Sequence, residues 1–98
     1  MHKQDILKYL KLHKEKYKNQ FGIKFIGLFG SYARDEANEK SDIDILYDIE
    51  KGKKFSIFNY LKLINDLENN LHRKVDLVRP TAIKPQIKEY IYQDLVYV

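Results

Sequence analysis

Ninety-eight residues, 44% hydrophobic and 13% aromatic, suffice for one folded domain with a modest core, so residues 1–98 read as a single domain with no room for a separate substrate domain. Eighteen Lys and Arg against 14 Asp and Glu give a formal charge of +4, carried by Lys-rich helices and not gathered into a long block, so nucleic acid is not the expected partner. The chain has no cysteine, no apolar run of membrane-spanning length and no signal-peptide core, which excludes thiol chemistry and a membrane span and points to the cytoplasm.

Ile6, Leu10, His13 and Tyr17 recur at spacings of three and four, with Leu7 alongside, and predict a helix over 3–18 that Asn19 and Gly22 end. Residues 23–29 are apolar on both faces apart from Lys24 and predict a buried strand, in which Gly27 lets another backbone come close. Ser31 then opens a short helix over 31–36. Beyond a polar connection, Ile43, Ile45, Tyr47 and Ile49 alternate with Asp42, Asp44, Leu46 and Asp48, the pattern of a strand with one acidic face.

A lysine-rich loop at 51–54 precedes a further helix, with Ser56 as its N-cap and Phe55 and Tyr60 placed as a hydrophobic staple. Ile57, Leu61, Ile64, Leu67 and Leu71 are its expected buried stripe. Residues 74–78 form a third strand, stopped by Arg79-Pro80. Pro85 suits the first turn of a last helix bearing Ile87, Tyr90 and Ile91, and residues 95–98 add a short edge strand. The order argues for an α/β (α+β) fold in which a small mixed β-sheet packs against helices.

The chemistry concentrates between Gly30 and Asp44. A glycine-serine turn after a strand offers bare backbone N–H groups and a hydroxyl, which suit phosphate oxygens. Asp42 and Asp44, at i and i+2 on a strand, point to one face roughly 6–7 Å apart and can share a hard cation such as Mg²⁺. A phosphate cradle beside a carboxylate pair implies phosphoryl or nucleotidyl transfer.

Gly30-Ser31, a spacer over residues 32–41 and then Asp42-Ile43-Asp44 resemble the signature of the nucleotidyltransferase superfamily that includes DNA polymerase β. Gly30-Ser31-Tyr32-Ala33-Arg34-Asp35-Glu36 followed by Ser41-Asp42-Ile43-Asp44 is similar, more narrowly, to the minimal nucleotidyltransferase (MNT) family of prokaryotes, whose usual form is Gly-Ser-x-Ala-Arg-Gly-Glu. The resemblance covers nearly the whole chain, since Asp76 in Lys74-Val75-Asp76-Leu77-Val78 falls where that family has a third aspartate. It implies a polymerase β-like core in which the third strand lies beside the second. Asp42, Asp44 and Asp76 would then hold two Mg²⁺ ions, with Asp76 on the acceptor side and able to take the hydroxyl proton. ATP is the implied substrate, its triphosphate met by Gly30, by the N–H and Oγ of Ser31, and by Arg34 unless Arg34 pairs with Glu36 or Asp35 instead.

The same resemblance implies an antitoxin that moves AMP to a tyrosine of a HEPN-domain ribonuclease toxin and assembles with it. The chain has no Arg-x4–6-His pattern, so it is not itself the toxin. A non-catalytic antitoxin that blocks its partner stoichiometrically, and an enzyme acting on a small molecule, are the alternatives. Asp35 stands where the family has glycine, and a carboxylate there repels a triphosphate unless exposed or paired with Arg34. Asp48 reads as solvated or paired with lysine, Tyr32 and Tyr47 as packing residues, and His13 and His72 as structural or exposed.

Overall fold

A computed structural model describes all 98 residues. Helix α1 spans Lys3–Phe21, and its first turn is tied by the His2 N–H, which donates to Asp5 Oδ2 at 2.8 Å. It runs three residues past the predicted end, because Asn19 stays helical and the chain turns only at Gly22, whose N–H caps the Lys18 carbonyl. Ile6, Leu10 and Tyr17 are fully buried along it. His13 leaves the stripe and rests on the Tyr9 ring, centroids 4.4 Å apart.

Strand β1 (Ile23–Phe29) leads through the one-turn helix α2 (Gly30–Ala33) and a polar loop to β2 (Ile43–Ile49). Helix α3 (Ile57–Leu71) crosses back to β3 (Val75–Val78), and a 3-10 turn (Pro80–Ala82) leads to α4 (Pro85–Asp94) and β4 (Val96–Tyr97). The strands lie in the order β3-β2-β1-β4. β1 is antiparallel to both β2 and β4, and β2 is parallel to β3, so the sheet is mixed, as the sequence pattern predicts.

One face of this sheet, built from Ile23, Phe25, Leu28, Ile43, Ile45, Tyr47, Val75 and Leu77, forms a single core with α1 and α3. The register of β1 on β2 slips between Phe25 and Gly27. This irregularity reverses the in-out alternation, so that Leu28 faces the core opposite Ile45 while Phe29 falls opposite Asp44. Without it, the end of β1 would present its turn to the wrong face. At Gly27 a Cβ would run into the Val96 carbonyl, so the close approach read from the sequence is that of β4.

Ser56 caps α3 as expected, its Oγ accepting from the Asn59 N–H at 3.2 Å, and the Phe55 and Tyr60 rings meet edge-on. The expected stripe holds at Ile64, Leu67 and Leu71 and fails at Ile57 and Leu61. Leu63, Leu67 and Leu71 are buried with Ile64 half-buried, whereas Ile57 and Leu61 are 63% and 56% exposed. The first half of α3 is apolar nearly all round, so two helical registers satisfy the spacing, and packing selects the one through Leu63. Helix α4 buries no residue and lies across α2 and β1. Tyr32 and Tyr47 are buried packing residues, as read from the sequence. No helix is long and apolar enough to cross a membrane.

Candidate active site

The site grows from the end of β1. Phe29 is the extended residue before α2, and Gly30 turns the chain with φ of +77°. A Cβ at Gly30 would fall on the Asp44 carboxylate, so this position requires glycine both for its left-handed backbone and for space. The turn therefore lies directly against the acid, with the Ser31 backbone and hydroxyl one residue on.

Helix α2 is anchored by Tyr32 and Ala33, both buried, and ends in a Schellman motif. The Asp35 N–H donates to the Tyr32 carbonyl at 3.3 Å and the Glu36 N–H to the Ser31 carbonyl at 2.9 Å. Asp35 occupies the left-handed position of that motif with φ of +59°, which explains why the MNT pattern has glycine there. Its carboxylate pairs with Lys3 Nζ at 3.2 Å, and the same ammonium donates to the Ala33 carbonyl at 3.3 Å. The partner of Asp35 is thus Lys3 rather than Arg34, and the carboxylate is 69% exposed, so solvent screens its charge.

On β2, Ile43 and Ile45 enter the core and turn Asp44 to the opposite face, and Asp42 directly precedes the strand. β3 lies parallel to β2 with Asp76 directly across from Asp44 in the register. Asp44 and Asp76 therefore stand side by side on adjacent strands next to Gly30, with Asp42 two residues before Asp44. Asp44 is half-buried and Asp42 and Asp76 are exposed. Burial pushes the Asp44 carboxyl up to about 6, the negative charges of Asp76 and Asp42 push it the same way, and Arg34 opposes them.

Arg34 makes the expected pair with Glu36 and adds a second partner, while Asp48 takes a different partner from the one expected. Arg34 donates from Nε to Glu36 Oε2 at 3.1 Å and from Nη1 to Asp94 Oδ2 at 2.7 Å. Asp48 pairs with Arg79 and not with a lysine, its Oδ1 accepting from Nε and Nη2 at 3.1 and 2.9 Å. Burial works against that carboxylate, but the Ile49 N–H and Arg79 prevail and hold it below its ordinary range. Asp94 and Lys3 are the contributors that sequence reasoning missed. They lie 60 and 32 positions from their partners, and no local pattern marks them.

An all-carboxylate donor set suits a hard cation. Asp44 and Asp76 supply a facing pair whose mutual repulsion a cation would relieve, although no three acidic or His groups close into a ready-made cluster. Mg²⁺ takes one or two carboxylates and completes its shell with water and substrate phosphate, so the pair fits it without a closed cage.

A strand ending in Gly-Ser against an aspartate pair on two parallel strands defines a nucleotidyltransferase. The model of the polymerase β nucleotidyltransferase family matches residues 11–98, and the chain belongs to that family. The protein adenylyltransferase MntA of Thermococcus cleftensis is 39% identical over 95 residues, covering 97% of this chain and 94% of that protein. MJ1379 of Methanocaldococcus jannaschii, provisionally named a protein adenylyltransferase, is 43% identical over 95 residues, with 96% and 95% covered. A solved structure provisionally described as a minimal nucleotidyltransferase superposes with a TM-score of 0.77 at 26% identity, over 100% of this chain and 97% of that one. A chain from a toxin–antitoxin crystal structure with AMP-PNP superposes with a TM-score of 0.57 at 26% identity, over 86% of this chain and 61% of that chain.

Proposed function

We propose that this chain, acting as one domain, transfers AMP from ATP to a hydroxyl of a partner protein and thereby serves as an antitoxin. The observation that carries the reading is Asp76 in register with Asp44, next to a glycine turn that leaves no space for a side chain. Relatives of nearly full length are named protein adenylyltransferases, and a toxin–antitoxin structure with an ATP analogue shares the fold, which together favour a protein acceptor and ATP. A tyrosine of a HEPN-type ribonuclease toxin is the acceptor in this proposal, and the cytoplasm its setting.

In the reaction the acceptor oxygen attacks the α-phosphorus, the bond to the bridging oxygen breaks, and pyrophosphate leaves. Gly30 lets the backbone approach the triphosphate, and Ser31 offers its N–H and Oγ. The N–H groups of Arg34 not engaged by Glu36 and Asp94 remain for a phosphate oxygen. Asp76, on the exposed edge strand, accepts the hydroxyl proton. Asp42, Asp44 and Asp76 would hold Mg²⁺, which supplies charge neutralisation of the phosphates and activation of the hydroxyl.

The test is incubation of the toxin with ATP, Mg²⁺ and either wild type or the Asp42→Ala/Asp44→Ala double variant, followed by mass spectrometry and a toxicity assay. Wild type should raise the toxin mass by AMP and neutralise it, and the double variant should bind the toxin without doing either. Equal protection by the double variant would mean that neutralisation comes from binding alone, and the enzymatic reading of the antitoxin role would be wrong.

A further inference from the structure

Arg34 is held by a residue from the far end of the chain. Its Nη1 meets Asp94 Oδ2 at 2.7 Å, the shortest of the four ion pairs in the molecule, and that carboxylate is only 24% exposed. Asp94 is the last residue of α4, a helix that buries no side chain of its own. Glu36 takes the guanidinium at Nε, so two carboxylates fix two corners of a planar group. The second hydrogen of Nη1 and both hydrogens of Nη2 are left unengaged. Arg34 is the C-cap of α2, and α2 begins at the Gly30 turn that lies against the Asp44 carboxylate, so a single helical turn links the guanidinium to the acid pair.

A long arginine side chain on a one-turn helix has many rotamers open to it, and fixing one of them costs entropy when a ligand must do the fixing. Here the fixing is done in advance. We propose that Asp94 is a positioning residue: it holds Arg34 beside the acid pair with its free N–H groups available to the triphosphate, and so couples α4 to nucleotide affinity. The assignment rests on the nucleotidyl-transfer reading of the site above and adds a residue that touches neither nucleotide nor metal.

The interaction is with bound triphosphate in both ground and transition state, so it is read in affinity and KM more than in kcat. Asp94→Ala should weaken binding of ATP and of a non-hydrolysable ATP analogue by about five- to tenfold in calorimetry, and raise KM for ATP similarly with kcat nearly kept. Asp94→Asn retains an acceptor oxygen for Nη1 and should recover most of the loss. In the background of Arg34→Ala, Asp94→Ala should cost nothing further, since the residue it positions is gone. Circular dichroism and thermal unfolding of each variant separate misfolding from mispositioning, and Asp94→Ser, which also removes the carboxylate and should show the same loss, carries the test if Asp94→Ala does not fold.

Wild-type affinity in Asp94→Ala, or an equal loss on top of Arg34→Ala, would overturn the role of Asp94 while leaving nucleotidyl transfer intact. Failure of the wild type itself to bind the nucleotide would overturn both.

Discussion

Asp44→Asn should make the protein more stable in the absence of divalent ions. The Asp44 carboxyl rises from its ordinary 3.8 to about 6, through burial first and then the charges of Asp76 and Asp42. That is about two pH units, or roughly 3 kcal/mol at 1.36 kcal/mol per unit. Because the group is only half-buried, solvent screening reduces the effect to about 1–2 kcal/mol. The sign follows from proton binding. The unfolded chain releases this proton near 3.8, whereas the folded chain keeps it to about 6, so the wild type loses stability as pH rises between these values and levels off above them. Asparagine does not titrate, so the advantage of the variant opens across that window. In urea unfolding with EDTA at pH 7.5 the variant should exceed wild type by about 1–2 kcal/mol, or roughly 5–10 °C in Tm for a domain of this size. At pH 4 the two should nearly coincide. A gap that is the same at both pH values, or a variant less stable at pH 7.5, would refute the account of the crowded acid pair.

Three further outcomes follow from local geometry. Gly30→Ala should lose about 2 kcal/mol or more in chemical denaturation, since φ of +77° costs an L-residue about 1–2 kcal/mol and the new methyl meets Asp44 as well. Asp35→Gly should gain about 0.5 kcal/mol, because relief of the left-handed backbone outweighs loss of the exposed Lys3 pair, and a measured fall would show that the pair dominates. Ser56→Ala should lose about 1 kcal/mol through the vacated Asn59 N–H, seen as a lower Tm with an unchanged far-ultraviolet spectrum.

What could be read from the sequence was what short-range periodicity and motif spacing encode. The alternation around Ile43 and Ile45 placed Asp44 on the free face, and Ser56 marked the start of α3, because each signal lies within one element. Burial differs only in the first half of α3, for the complementary reason: that half satisfies two stripes, and only the sheet selects between them. The slip at residue 26 that brings Phe29 opposite Asp44 leaves no mark in a run that is apolar on both faces. Partners for Asp35, Arg34 and Asp48 were misjudged or left open because lysines and arginines are plentiful, and the choice among them is made by tertiary proximity.

The one-turn helix α2 is clasped from both sides of the sequence, by Lys3 at Asp35 and Ala33 and by Asp94 at Arg34. A helix of this length has no stability of its own, so it takes shape only after contacts spanning 30 to 60 residues have closed. The hairpin of β1 and β2 and the packing of α1 rest on nearer contacts, so the turn at Gly30 should be completed last. In the folded molecule the same dependence runs in reverse: amides of residues 31–36 should exchange with solvent through openings far smaller than global unfolding, while those of β1 and β2 wait for the whole domain to open. Loosening the clasp at Arg34 would weaken nucleotide binding in a protein that still melts cooperatively and still passes for native.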